Sequence, residues 1–365
     1  MIRFFHIACF FLFPLFCSLV IPAEQNSSPT EHPPGRIYLD VVVTAKSGPP
    51  LVGLHQDDFT LLDNNEPQNI TSFKAVSAGE AGQSVILVLD AVNAWTTSFM
   101  TIRTEVGKFL HADEGHLAYP TALATFTDKG IQLEPNFSTD GNALGAKLDQ
   151  SSVGARGANL TRSGALYGQA ERLRVSLQAL DRIVAIATRV PGRKLIIWVS
   201  PGWPFIEGAR YGSITQQQIF NDLVRISNDL LRAHVTLYGV DPVGVSADPR
   251  AHVTLYGVDP VGASTDPSRG SYYKQFLKGV SKPSQAQFGN LSLQVLAVRS
   301  GGLAFPPSND IARALQECLQ ASAPYYQLSF DPATSKQAGE YHHLEIKLGK
   351  SGLIARTFQG YYAQP

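Results

Sequence analysis

Cysteine is almost missing from this chain. Of its three cysteines, Cys9 and Cys17 lie in an N-terminal apolar run, which leaves Cys318 alone. One thiol forms no internal disulfide, and no CxxC pair exists for zinc or thiol redox chemistry. An excess of one charge is missing too, because 30 Lys and Arg offset 30 Asp and Glu. No basic run is long enough to track a phosphate backbone, so nucleic acid is excluded as a partner. The chain also lacks GxSxG, HExxH and GxxxxGK[ST]. The esterase elbow, the zincin helix and the phosphate-cradling loop therefore have no support, and we read the chain as a non-enzyme. What is present is ordinary globular material: 365 residues, 44% hydrophobic and 16% charged, enough for one large domain and a smaller one.

The N-terminus is the first positive signal. Arg3 precedes an apolar run from Phe4 to Val20, and Ala23 offers a small residue for cleavage. Residues 1–23 are expected to be a signal peptide and 24–35 a polar linker. The run is shorter than the ~20 residues of a comfortable span. The membrane would be a partner only if this segment were retained, and the expected location is secreted, periplasmic or on the cell surface.

The remainder divides by rhythm. Residues 36–75 are β-rich, with turn signals at Gly48 to Pro50 and Asp63 to Asn65. From Ser84 short apolar runs alternate with helical periodicity. VILVLD (85–90), TALATFT (121–127), KLIIWVS (194–200) and VTLYGV (235–240) are expected strands, and 100–110, 166–190, 216–232, 291–299 and 310–321 expected helices. This alternation predicts a doubly wound, mainly parallel sheet over residues 84–323. Residues 324–365 return to strands at 325–331, 341–349 and 353–363. Neither β segment can bury a core alone, so 36–75 and 324–365 are expected to pair into a small β-sandwich.

One feature is a tandem duplication. RAHVTLYGVDPVGVSADP begins at Arg232 and RAHVTLYGVDPVGASTDP at Arg250, so 233–250 is repeated in 251–268. Two copies are too few for a solenoid. The first follows the 216–232 helix directly and takes the strand position, which leaves the second as a hairpin arm, an edge strand or a loop.

In an open parallel sheet, ligands bind at the carboxyl ends of the strands. Asp90 stands there, in VLDAVNAW. With GLHQDDFTLLDNNEPQNITSF, PGRKLIIWVSPGWP, SGGLAF…NDIARAL and YYQLSFDP…EYHHLEIKL…GLIARTFQGYYA, this segment resembles the von Willebrand factor type A-related family abundant in Acidobacteria, over roughly residues 36–365. The resemblance implies a type A-like α/β fold and a protein-interaction role. In that fold an Asp-x-Ser-x-Ser loop, a Thr and a second Asp hold one divalent ion. Here Asp90 is retained, Val92 and Ala94 replace the serines, and Pro201 occupies the place of the second carboxylate. The expectation is a degenerate metal site with no cofactor. Mg²⁺ at Asp90, Asn93 and Thr161 is the alternative, and a strand-end carboxylate capping its own turn is the plain structural reading. A hydrolase with an unrecognised site is the second alternative.

Trp95, Trp203 and Phe205 come from two loops expected at the top of the sheet. They read either as an aromatic surface for a protein partner or as packing. Cys318 lies on the apolar face of its helix with Ile311 and Leu315 and is expected to be buried and inert. His342-His343, side by side in a strand, point to opposite faces and read as a solvated pair.

Overall fold

The computed structural model describes residues 35–364 except 47, 80, 81, 95, 135, 151–164, 205–214, 243–268 and 333–337. The N-terminal part is β1 (Ile37–Ala45), β2 (Phe59–Asp63), β3 (Glu66–Gln68) and β4 (Ser72–Val76). Then follow β5 (Gln83–Asp90), α1 (Thr96–His111), β6 (His116–Thr127), β7 (Gly130–Leu133), β8 (Ser138–Asp140), α2 (Gly141–Gln150), α3 (Ala165–Ala187), β9 (Arg193–Val199), α4 (Gln216–Arg232) and β10 (Val235–Val240). The chain continues through α5 (Leu293–Arg299), β11 (Ala304–Phe305) and α6 (Ile311–Gln320), and ends in β12 (Tyr325–Phe330), β13 (Tyr341–Leu348), β14 (Leu353–Arg356) and β15 (Gly360–Tyr362).

The central sheet has the order β11-β10-β9-β5-β6-β7. Neighbours from β11 to β6 are parallel, and β7 and β8 pair antiparallel with β6. Continuous apolar runs suit such strands because both faces are covered. Alternate residues divide between two cores. Ile86, Val88, Ile196 and Trp198 face one, while Val85, Leu87, Leu89, Leu195, Ile197 and Val199 face the other. Helices α3, α4 and α5 cover the first face, and α1, α2 and α6 the second. This is the mainly parallel α/β arrangement expected from the alternating pattern.

Local chemistry sets the helix ends. Thr215 caps α4: its hydroxyl accepts from the Gln218 N–H (3.2 Å), and the Gln218 side chain accepts from the Thr215 N–H (2.7 Å). Gly192, after α3, has φ +76°, and a Cβ there would lie 2.0 Å from the Gly82 carbonyl oxygen. Only glycine allows that approach.

The flanking strands build two antiparallel sheets, β14-β1-β12-β4 and β15-β13-β2-β3. Each mixes N- and C-terminal segments: Leu39 pairs with Leu328, and Leu61 with Ile346. The rings of Phe59 and Tyr326, from opposite sheets, pack 5.1 Å apart. The sandwich interior and the α3/α4 face of the parallel sheet form one continuous core, from Leu39 and Phe330 through to Trp198 and Leu223. Residues 34–365 are accordingly one unit.

Three details depart from expectation. The single C-terminal strand over 353–363 is two, β14 pairing with β1 and β15 with β13. The break is a corner where Phe358 turns into the core and the Gln359 N–H donates to the Arg299 carbonyl. Residues 130–150 form β7, β8 and α2, whose short polar strands carry no strong periodic signal. The histidine pair is also not symmetrically solvated, for His343 is exposed but His342 is only 8% exposed. His342 Nδ1 bonds Asp63 (2.9 Å) and stacks on Tyr361, whose hydroxyl donates to the same carboxylate at 2.7 Å. Alternation put one imidazole into the sandwich, where a carboxylate engages Nδ1 while Nε2 is buried without a partner.

The first copy of the duplication supplies Ala233, at the end of α4, and all of β10. The second copy lies outside the described residues. Cys318 is fully buried in the second core, and burial pushes its thiol well above the usual range. No helix among the described residues is long and apolar enough to cross a membrane.

Candidate functional site

β6 lies on one side of β5, whereas β9, β10 and β11 extend from the other. The strand order therefore reverses beside β5, where a parallel sheet opens a crevice at its carboxyl end. Asp90 ends β5 at that point. In the β5–β9 register Leu89 pairs with Val199, so Asp90 and Ser200 fall at the same level.

The Asp90 carboxylate is fully buried and accepts five hydrogen bonds. Oδ1 takes the backbone N–H groups of Val92 (3.0 Å) and Asn93 (2.9 Å). Oδ2 takes the Asn93 side-chain amide (2.8 Å), the Ser200 hydroxyl (2.9 Å) and the Trp198 indole N–H (3.0 Å). The first two bonds close the turn after β5, the local role an aspartate plays when its side chain caps its own backbone. The Asn93 amide keeps a third bond within that turn, and the Trp198 and Ser200 donors tie the end of β5 to the end of β9. Burial raises the carboxyl above the ordinary range, and the donors from Asn93, Trp198 and Ser200 oppose that shift.

A shell of contacts extends from this centre. The Asn93 amide also donates to the Ser176 hydroxyl (2.9 Å), which donates to the Arg172 carbonyl (2.7 Å). Trp198 meets Trp203 edge-on at 5.2 Å and Phe126 at 5.9 Å. Three buried polar atoms in this shell have no hydrogen-bond partner: Asn93 Oδ1, Trp203 Nε1 and Arg172 Nε.

This donor set does not fit a hard cation. Such an ion takes carboxylate, hydroxyl and water oxygens with free lone pairs, and five donors already occupy those of Asp90. The two positions that would carry hydroxyls fill cores instead, Val92 on one face and Ala94 on the other. Among the described residues no three His, Cys, Asp or Glu side chains lie close enough together to share an ion. Thr161, the third expected ligand, lies outside the described residues.

Of the expected aromatic surface, Trp95 and Phe205 also lie outside the described residues. Trp203 is 3% exposed and packs edge-on against Trp198, in keeping with the packing reading of this residue. Sequence reasoning found Asp90 and Asn93 but missed Trp198, Ser200, Ser176 and Arg172. Aligning VILVLD with KLIIWVS would have revealed Ser200, since matched strand ends place it opposite Asp90. The two α3 residues carried no local signal.

Fold and site together define an α/β protein with a buried, hydrogen-bonded aspartate at the switch point of its sheet. No protein-family model matches the chain, and no curated protein matches it. Several solved structures are similar at low identity. Proximal thread matrix protein 1 from the mussel byssus is similar over 46% of this chain and 39% of its own length (11% identity, TM-score 0.27). The manganese-loaded TRAP protein of Plasmodium vivax is similar over 79% of this chain and 96% of its own (11% identity, TM-score 0.30). A von Willebrand factor type A protein from Catenulispora acidiphila is similar over 84% and 72% (13% identity, TM-score 0.25). This chain thus spans less than half of the mussel protein.

Proposed function

We propose that this chain is an exported, non-enzymatic binding or scaffold module. It recognises a protein partner through the loops after the strands at 85–90, 121–127 and 194–200, without a metal ion. One observation carries the reading: five protein donors saturate the Asp90 carboxylate, so its charge organises the crevice from within. Trp95 and Phe205 are the aromatic contacts of that surface, and Trp203 is its buried support. The location is outside the cytoplasm, as the N-terminal 1–23 segment implies.

Thermal unfolding of the purified protein with Mg²⁺, with Ca²⁺ and with chelator tests the metal-free part. A resident ion adds about 2.7 kcal/mol at a hundredfold excess over its Kd. The expected result is a Tm that does not move. A rise with Mg²⁺ that chelator reverses would establish the alternative, an ion held by Asp90, Asn93 and Thr161. Partner capture from the periplasmic and surface fraction, with and without chelator, tests the binding part, and chelator-insensitive capture is expected.

A further inference from the structure

The β10 position is held by residues that the chain carries twice. The contacts that fix this strand come from residues 234–241. The His234 carbonyl accepts from the Lys194 N–H (2.9 Å) and the Val240 carbonyl from the Ser200 N–H (2.9 Å). The Leu237 N–H donates to the Ser300 hydroxyl (2.9 Å) and the Gly239 N–H to the Leu303 carbonyl (3.0 Å). The Thr236 hydroxyl accepts from the Arg193 guanidinium (3.2 Å). Val235 and Leu237 fill one core, and Tyr238 and Val240 the other. Residues 252–259 repeat 234–241 without a change, and the identity runs from Arg232–Gly244 to Arg250–Gly262. A place in a sheet selects by side chains and backbone groups, so it does not distinguish the two copies. Only the connections on either side differ.

In the described arrangement α4 passes into β10 through Ala233 and His234, and residues 241–268 then lead to the 3₁₀ turn at Arg269–Phe276. With the second copy in the same position, 233–252 would join α4 to the strand and 259–268 would follow it. That shorter connection still reaches ~33 Å when extended, about the width of a small domain. Loop-closure scaling puts the exchanged arrangement about twentyfold below the described one. We propose that the two copies compete for one strand position, and that about one molecule in twenty holds residues 253–258 in place of 235–240. The consequence is positional. Strands β5, β9 and β10 are parallel, so β10 ends at the same end of the sheet as Asp90. The 18 repeated residues follow the strand at that end in the major form and precede it, at the Lys194 end, in the minor one. Exchange thus changes the length of chain at the crevice end while the sheet stays the same. A ligand that favours either length shifts the ratio. Because β10 is buried between β9 and β11, the choice is made as the chain folds and changes only when the sheet opens. The competition stands whether or not the crevice end binds a partner.

A charge placed in either copy of the full chain tests this. L237D blocks the first copy, L255D the second, and L237D/L255D both. The readout is the folding equilibrium constant from urea denaturation. L255D is expected to change it by less than about threefold, as a substitution outside the core does. L237D is expected to lower it about twentyfold, because the second copy then takes the position. The double variant is expected to lose at least about a thousandfold, since neither copy can fill the core without burying a carboxylate. Equal losses in L237D and the double variant would overturn the proposal, and so would an L237D chain that fails to fold while L255D folds. L255D as damaging as the double variant would also overturn it, because the first copy could not then hold the position alone.

Discussion

Asp90 shows how one carboxylate can serve as structure where its position suggests chemistry. Each of its oxygens accepts N–H or O–H donors, so a substitution that turns one oxygen into a donor faces hydrogens on both sides. D90N is therefore expected to lower stability by about 3 kcal/mol, the cost of losing charge-assisted bonds and stranding buried donors. Urea denaturation measures it, and a change below about 1 kcal/mol would mean the donors find other partners. Position and residue type alone made Asp90 and Asn93 visible in the sequence. Ser176 and Arg172 were not, because they reach the site across a helix–sheet interface that no spacing rule encodes.

Among the elements, β10 has an unusual origin. It lies between β9 and β11, with Leu237 opposite Ile196 and Gly239 opposite Ala304. The first copy of the duplicated segment provides it, while the tight α4–β10 connection turns at His234 with φ +50°. A parallel sheet has one place after α4, and the nearer copy takes it. Deleting residues 250–267 removes one copy and keeps every described contact of β10. The expected loss is under about 1 kcal/mol, since shortening a long connection changes closure entropy only slowly. Calorimetry of the deletion against the natural chain checks this, and a collapse in Tm would show that the second copy carries part of the fold.

At the scale of the whole molecule, the seam between sandwich and parallel sheet is polar and charged at one end. Arg193, which begins β9, is 1% exposed, with its Nε 3.6 Å from Asp40 on β1 and its guanidinium over the Tyr325 ring at 4.6 Å. Its neighbour Lys194 is 3% exposed and donates to the carbonyls of Val190 (2.9 Å) and Gly192 (2.6 Å). Burial brings Lys194 down from 10.5 to about 8, against the opposing charge of Asp40. Between those values the unfolded chain binds a proton that the folded chain does not, so this residue's contribution becomes more favourable as pH rises. The gain is at most about 1.4 kcal/mol per pH unit. Urea midpoints at pH 7.5 and 9.5 should therefore rise for the natural chain relative to K194M. Parallel behaviour of the two would show that Lys194 titrates normally.

The sequence by itself determined the alternation of strand and helix, the apolar strands of the parallel sheet, the two flanking β segments and the place of Asp90. These follow from hydrophobic period and residue type, which are local properties of the chain. Tertiary structure alone decided that sandwich and sheet share one core, that the C-terminal strand divides between two sheets, and that His342 and Trp203 turn inward. It also decided what occupies Asp90. A carboxylate's role depends on which donors reach it, and the Trp198 and Ser200 donors come from a strand more than a hundred residues away. Such partners meet only when the sheet closes, so no reading of local pattern could weigh them.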